Sequence, residues 1–536
     1  MHITDCVRTR VFALSLTSVP ALAGCVPESG ADDDVGEGES GSEGEDSSEG
    51  DGDTSTTDGG ADAGESADAG ESADTGEGGE EEPDYEITGD LYYVDAVAGS
   101  DDNPGSAEAP FSTLAHALTQ VQGGDGVLLR DGDYGDLEFG ADNGLAIPEV
   151  FDDWVTIRPD DGHSPSAGNI VLGTWGSEAS TDAIPFEIVG NSDLRLRIDG
   201  LEIRDRIEVY GSRYVDIRNC EVQAEGELTE LSDDSCISVI NGQYVSVTGN
   251  DLHHCGMGVQ AMTTDFVLAN NEIHHSTHDG LKVYGGRNWL VEGNIFHDLD
   301  DGLDDDDIAD YPNYHVDGIH IHTIIHEGGY YNVKWADFAD NLVFRANIFY
   351  HLESMGVMIN QNDSGTGDWG NFVWENNIFG PTGGIAFIQG SSFVGTFVFR
   401  HNTVLFAPGD IWTSIFGREM HPDNLDSPGA SAYYIQVWGN PEGHDYYNNI
   451  FTTATTLTQD QGYIGDNMFI AEGDALPYVE IPGNIQDFLD QGGVLGELVA
   501  GSPAIDAGTS ALEVPAADVY GTPRDGAPDI GAVEYD

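Results

Sequence analysis

The sequence predicts an all-β chain wound as a parallel solenoid, and three observations carry this. Short alternating segments recur and each closes on an Asn: 244–250 (YVSVTGN), 265–271 (DFVLANN), 288–294 (NWLVEGN), 341–347 (NLVFRAN), 371–377 (NFVWENN) and 396–402 (TFVFRHN), with Cys220 in the Asn place of 214–220. The closing Asn residues are 21, 23, 53, 30 and 25 residues apart, so one turn takes about 21–25 residues and longer gaps are turns carrying insertions. Finally, 71 glycines and many Asn and Asp stand against only two lysines, Lys282 and Lys334, which suits turns better than helices.

The first 25 residues read as an export signal. Arg8 and Arg10 precede an apolar run from Val11 to Ala23, too short to span a bilayer. The run ends Leu22-Ala23-Gly24-Cys25, which resembles the lipobox of bacterial lipoproteins and implies lipidation at Cys25. The expected location is the cell envelope or the outside, with membrane contact only through that anchor. Residues 26–84 hold 23 acidic residues and almost no large apolar side chain, so they cannot bury enough surface to fold and are expected to form an extended tether. Residues 85–500 are assigned to the solenoid and 501–536 to a C-terminal segment packed on it. Of the remaining cysteines, Cys220, Cys236 and Cys255 are odd in number, so no disulfide framework is expected.

Charge narrows the function. With 98 acidic against 17 basic residues the net charge is −81, which excludes a nucleic-acid partner, since phosphate contacts need a basic surface. No phosphate loop or dinucleotide fingerprint occurs, and no Gly-x-Ser-x-Gly elbow stands near a partner.

Alternation sends Val245 and Val247, Trp289 and Val291, and Phe372 and Trp374 inward, and stacking of coils about 4.8 Å apart lets the Asn column form an amide ladder. The outward positions Glu292, Arg345, Glu375 and Arg400 alternate in sign, predicting an exposed ion-pair ladder of on the order of 0–1 kcal/mol per pair. An outward aliphatic column, Val267, Leu290, Val343, Val373 and Val398, requires a cover from this chain or a partner. Histidines recur after the Asn corner: His253, His274 and His297, then His254, His275, Asp298 and His351 one place on. A stacked corner ladder is expected, with a transition-metal site as the alternative.

These segments together resemble the right-handed parallel β-helix proteins, which include pectate lyases, alginate lyases, chondroitinases and carbon-5 epimerases. Residues 92–117 resemble the opening strand, loop and N-terminal cap helix of that group, 124–134 its first coil, and 501–535 a C-terminal segment common on exported bacterial members. The resemblance implies a polysaccharide substrate or glycan ligand. It leaves open a lyase, a hydrolase, an epimerase or a non-catalytic adhesin.

A second strand follows each Asn corner: 236–240, 256–260, 280–284, 318–322 and 356–360. Aligned in that order, the outward columns read Ser238, Gly258, Lys282, His320, Met358 and Ile240, Gln260, Tyr284, His322, Asn360. Lys282, Tyr284, His320 and His322 therefore project together, flanked by Gln260 and Asn360. A uronate lyase needs a base for the carbon-5 proton and an acid at the leaving oxygen, and the resembled group commonly uses Lys or Arg, sometimes Tyr or His, as base; the resemblance thus implies Lys282 as base and Tyr284 or His320 as acid. The His320 coil carries both long insertions. The later one brings Tyr330, Tyr331, Lys334 and Trp335, suited to stacking on sugar rings, and Arg287 adds to the cationic patch. The earlier one is acidic, and Asp298, Asp300, Asp301 and Asp304 are expected to hold calcium, without EF-hand spacing; Asp279 and Asp317, each before the Gly that opens a strand, are alternative ligands or corner-forming residues.

Overall fold

The computed structural model describes residues 86–139, 151–173, 193–224, 234–299, 316–323, 339–361, 369–380, 382–384, 386–387, 395–405, 432–435, 443–451, 454–457, 463–470, 479 and 485–535. Cys25, the export signal and the acidic tether lie outside these residues. Among the described residues no helix is long and apolar enough to cross a membrane.

The chain is a right-handed parallel β-helix. Every named strand pair among the described residues is parallel, and coil pairs with coil in a register that shifts at bulges such as those at Ile240/Gly242 and Ala261/Thr263. One inward column runs Ile217, Val247, Leu268, Val291, Phe344, Trp374 and Phe399. A second runs Val209, Val239, Ala261, Val283, Ile321 and Ile359. A third, on short strands, runs Val222, Leu252, Ile273, Phe296, Phe349 and Phe379, with the last three rings stacked 4.9 Å apart. All are buried, so the solenoid interior is one dry stack of β-branched and aromatic side chains.

Three corners turn the chain through left-handed backbone, the third being the column Tyr214, Tyr244, Asp265, Asn288, Asn341 and Asn371. At the first, the residue before each ladder Asn has positive φ: Gly249, Asn270, Gly293, Ala346, Asn376, His401, Asn448 and Asp466. Gly and Asn are the residue types that adopt this conformation at least cost, which explains the recurring Gly-Asn and Asn-Asn pairs. The Asn ladder forms as expected and extends further, through Asn250, Asn271, Asn294, Asn347, Asn377, Asn402, Asn449 and Asn467. Each buried amide is used in full. Asn294, for example, donates to Asn347 Oδ1 and Leu268 O, and accepts from the backbone and side-chain nitrogens of Asn271. At the second corner His254, His275, Asp298 and His351 take positive φ. The expected stacking is there: His253, His274, His297 and Tyr350 lie ring on ring at 5.0 Å.

Ends and flanks are covered by the chain itself. Thr113 caps the short helix Leu114–Leu118, which buries Leu114, Ala117 and Leu118 over the first coils. The C-terminal segment packs Leu512 against Val373, Val398 and Tyr447, and Val519, Ile530 and Val533 against a cluster that includes Ile378 and Ile450. Asn376 donates to Ala517 O, and Arg524 donates to Asn376 Oδ1. The cover reaches one end of the charged column, where Arg400 pairs with Glu513 at 3.0 Å. Arg345 pairs with Glu292 at 2.7 Å and Arg400 with Glu375 at 2.6 Å, and all four side chains are buried rather than exposed.

One expectation is overturned. Cys236 and Cys255 form a disulfide, with Cα atoms 5.5 Å apart, and among the described residues Cys220 is the free cysteine and is buried. The odd count concealed a single bridge plus one thiol that lies inside the solenoid at the head of the Asn ladder, where its backbone N–H donates to Asn250 Oδ1.

Candidate functional site

The site lies on the outward side of the strand column that carries Lys282. Leu281–Glu292 alternates so that Leu281 and Val283 enter the core and Lys282 leaves it. The register places Ser238, Gln260, Lys282, His320 and Met358 side by side on successive coils. This corrects the sequence alignment, which slipped 256–260 by two residues: Gln260 stands beside Lys282, not beside Tyr284, and Gly258 pairs with the corner. A two-residue slip preserves which face a side chain takes, so the inward and outward assignments survived the error.

Three side chains converge. Lys282 Nζ donates to Asp279 Oδ2 at 2.7 Å and lies 2.5 Å from His320 Nδ1. His320 Nδ1 is itself 3.2 Å from Asp279 Oδ2. Asp317, the residue equivalent to Asp279 on the next coil, has Oδ2 3.9 Å from His320 Nδ1. His278 Nδ1 is 3.8 Å from Asp279 Oδ2. Lys282 and His320 are 5% and 3% exposed, and Asp279 and Asp317 are fully buried. Burial alone would push the Asp279 carboxyl up, but His278, Lys282 and His320 outweigh it and hold the group well below the usual carboxylate range. The site is thus an ionised carboxylate facing one ammonium and one imidazole.

The two carboxylates are bolted to the solenoid. Asp279 Oδ1 accepts from the Asp317 N–H at 3.2 Å, and Asp317 Oδ1 accepts from the Met355 N–H at 3.1 Å. Asp279 Oδ2 is the oxygen that Lys282 and His320 share. Asp279, Asp317 and His320 form the group of metal-ligating side chains found among the described residues, their ligand atoms within 4.8 Å of one another. Calcium takes six to eight oxygen ligands, so these two carboxylates and one imidazole would supply only part of a calcium shell. Asp298 does not join this group. Its oxygens accept from His297 Nδ1 at 2.7 Å and His351 Nδ1 at 3.1 Å at the second corner. Asp300, Asp301 and Asp304 lie outside the described residues.

The other expected site residues divide. Tyr284 follows Lys282 by two residues on the outward side and is half-buried, next to a bulge opposite Met262. His322 and Asn360 pair across adjacent strands, their side chains outside the described ones. Arg287 is exposed beyond the next corner, 3.9 Å from Asp340 Oδ2, and does not reach the cluster. Tyr330, Tyr331, Lys334 and Trp335 lie outside the described residues. His278 was missed, although His278-Asp279 stands immediately before the Gly280 that opens the strand, and Asp279 precedes Lys282 by three residues.

Residues 205–408 match a family model described as right handed beta helix region. No curated protein matches the chain. Among solved structures, the chain is similar to pectate lyase Pel9A (13% identity, covering 84% of this chain and 97% of that one, TM-score 0.37). It is also similar to XylC in complex with xylose (9%, 83% and 98%, 0.44) and to a rhamnogalacturonan lyase (13%, 77% and 97%, 0.34).

Proposed function

Starting from a right-handed parallel β-helix protein, we propose that this chain is a polysaccharide-active enzyme that cleaves an acidic glycan by β-elimination at Lys282 and His320. The observation that carries the reading is the contact of Lys282 Nζ with His320 Nδ1, with Asp279 Oδ2 against both. One proton is shared across the nitrogen pair. With the proton on Lys282, the histidine is neutral. Moving it to His320 leaves a neutral amine as base and an imidazolium as acid, while the carboxylate stabilises the charge in either place. Between free side chains that transfer costs about 5 kcal/mol, small beside the barrier of a slow elimination. Lys282 then takes the carbon-5 proton, the carbon-4–oxygen bond breaks as the carbon-4–carbon-5 double bond forms, and His320 protonates the leaving oxygen. The products leave Lys282 protonated and His320 neutral, so the resting state is restored without a further step.

Ultraviolet absorbance of the unsaturated product, followed over pectate, alginate and glycosaminoglycans, tests this reading. A rise with the wild type that disappears in Lys282→Ala is expected. A second reading is favoured by the full burial of Asp279 and Asp317 and their bonds to the next coil: the network locks neighbouring coils and the face binds glycan without cleaving it. A flat trace together with retained glycan binding supports that reading. Products without a double bond indicate a hydrolase or epimerase.

A further inference from the structure

We infer that the face carrying Lys282 ends, around Glu208, in a subsite for an uncharged, hydroxyl-bearing sugar unit, so that the glycan it takes has neutral sugars between its uronates. This builds on the polysaccharide reading proposed above and narrows its substrate class. The outward column that holds Lys282 continues toward the N-terminus. Lys282 pairs with Gln260, Gln260 with Ser238 and Ser238 with Glu208, so Glu208 stands three coils from Lys282 in the same column. At about 4.8 Å per coil the separation is about 14 Å. A linear glycan that follows the column from Lys282 past Gln260 and Ser238 therefore meets Glu208 with a different sugar unit from the one at Lys282.

Glu208 is held in place. Tyr210 Oη donates to its Oε1 at 2.5 Å, and Asn169 Nδ2 donates to its Oε2 at 3.1 Å. Arg206 does not cancel its charge. The Arg206 Nε is 3.9 Å from Glu208 Oε1 and 3.9 Å from Asp205 Oδ1, while Nη1 donates to Asp234 Oδ1 at 2.6 Å, so one guanidinium is shared by three carboxylates. A uronate carboxylate is repelled here, whereas a sugar hydroxyl can donate to Glu208. The surroundings lack such a partner. Among the described residues Asn169 Oδ1, Arg206 Nε, Ser235 Oγ and Ser238 Oγ are buried and make no hydrogen bond, and Ser235 and Ser238 are each 3% exposed. All four lie around Glu208. Asn169 bonds it, Arg206 is two residues before it, Ser238 is its register neighbour, and Ser235 follows the Asp234 that Arg206 holds. Two hydroxyls, an amide oxygen and a guanidinium N–H match the hydroxyls of a neutral sugar, which both donate and accept. Buried groups of this kind cost stability until they are met, so their concentration in one place points to a ligand.

The test is calorimetric binding of the full chain to pectate, to the same polymer partly methyl-esterified, and to hyaluronan, in which uronate and uncharged sugar alternate. For a polymer that is cleaved, kcat/KM replaces affinity. The wild type is expected to favour partly esterified pectate and hyaluronan over pectate, and Glu208→Gln to shrink that preference about tenfold. Glu208→Ser, which copies Ser238 on the next coil, serves as the second variant where Glu208→Gln does not fold. Ser238→Ala is expected to weaken the favoured polymers severalfold without lowering stability. A preference that is absent in the wild type, or unchanged in both Glu208 variants, overturns the inference, as does a failure to bind any of the three. Ultraviolet absorbance of the same samples keeps the two readings apart. Preference without an unsaturated product keeps the subsite and removes the elimination; an unsaturated product without preference keeps the elimination and overturns the subsite.

Discussion

Lys282 and His320 are 38 residues apart in sequence and neighbours in space, with Nζ 2.5 Å from Nδ1 and Asp279 Oδ2 joined to both. Either nitrogen loses its partner if the other is truncated. Lys282→Ala and His320→Ala are each expected to lower kcat on the cleaved glycan by about 10²–10⁴-fold with a smaller change in KM. Asp279→Asn removes the charge that stabilises both proton positions and should flatten the pH profile. A change confined to KM in all three variants contradicts the assignment.

The net charge of −81 sets a second expectation. An acidic glycan is repelled at long range, and salt screens that repulsion as the Debye length falls from about 30 Å at 0.01 M to about 8 Å at 0.15 M. KM on an acidic glycan should therefore fall with added salt over that interval. A KM that rises with salt points to dominant local attraction instead.

Breaking the Asn ladder in its middle should be costly. Asn294→Ala strands buried donors on Asn271 and the Leu268 carbonyl, and a loss of about 3 kcal/mol or more is expected by denaturant unfolding. Asn341→Gly, on the exposed Asn288–Asn341 ladder with the same left-handed backbone, should change stability by about 0.5 kcal/mol or less.

The Cys236–Cys255 bridge closes a loop of 19 residues within one coil, and its removal by Cys236→Ser with Cys255→Ser should lower stability by about 3 kcal/mol. Cys220 should stay unreactive toward thiol reagents in the native protein. Burial pushes its thiol up to about 12. Rapid labelling of Cys220 without unfolding is the result that speaks against this.

The second corner predicts a particular pH dependence. Burial alone would lower the His297 imidazole, but Asp298 and Glu272 outweigh it and raise it to about 9. A raised folded value contributes stability that is complete below about 6.5 and is lost as pH rises toward 9. The difference corresponds to roughly 3 kcal/mol. His254 and His275 move the other way, pushed down first by burial and then by neighbouring histidines, so they weaken the fold as pH falls below about 6.5. Unfolding followed from pH 5 to 10 should show a decline on both sides, and His297→Gln should abolish the alkaline one.

Much of this was legible in the residues because a solenoid repeats itself. Asn at a fixed place, Gly or Asn before it and alternating apolar residues after it leave the corner and the core few alternatives. The alternating Glu292, Arg345, Glu375 and Arg400 were legible as a ladder, but not their burial; Arg400, for one, is met by Glu513, 113 residues away in sequence. The slip at 256–260 arose because Gly256 and Gly258 both mimic the Gly that opens a strand; only the hydrogen-bond register separates them. Lys282 and His320 could be placed on one face from alternation alone, whereas the convergence of Asp279 on both depends on how the preceding corner turns its side chain.

The ladder has one property with reach beyond stability. The step from Asn250 to Asn271 spans 21 residues and the step from Asn294 to Asn347 spans 53, yet the amides meet at 2.9 and 3.0 Å. Rung spacing is therefore fixed by the amide and is indifferent to the contour length of chain between rungs. Extra chain can be spliced into a coil, lengthened or exchanged without retuning the pitch of its neighbours. The coil between Asn294 and Asn347 is where that freedom has been used most, and it is the coil that presents His320 to Lys282. The scaffold and whatever its longest loops grip are thus separate inheritances, free to change at different rates.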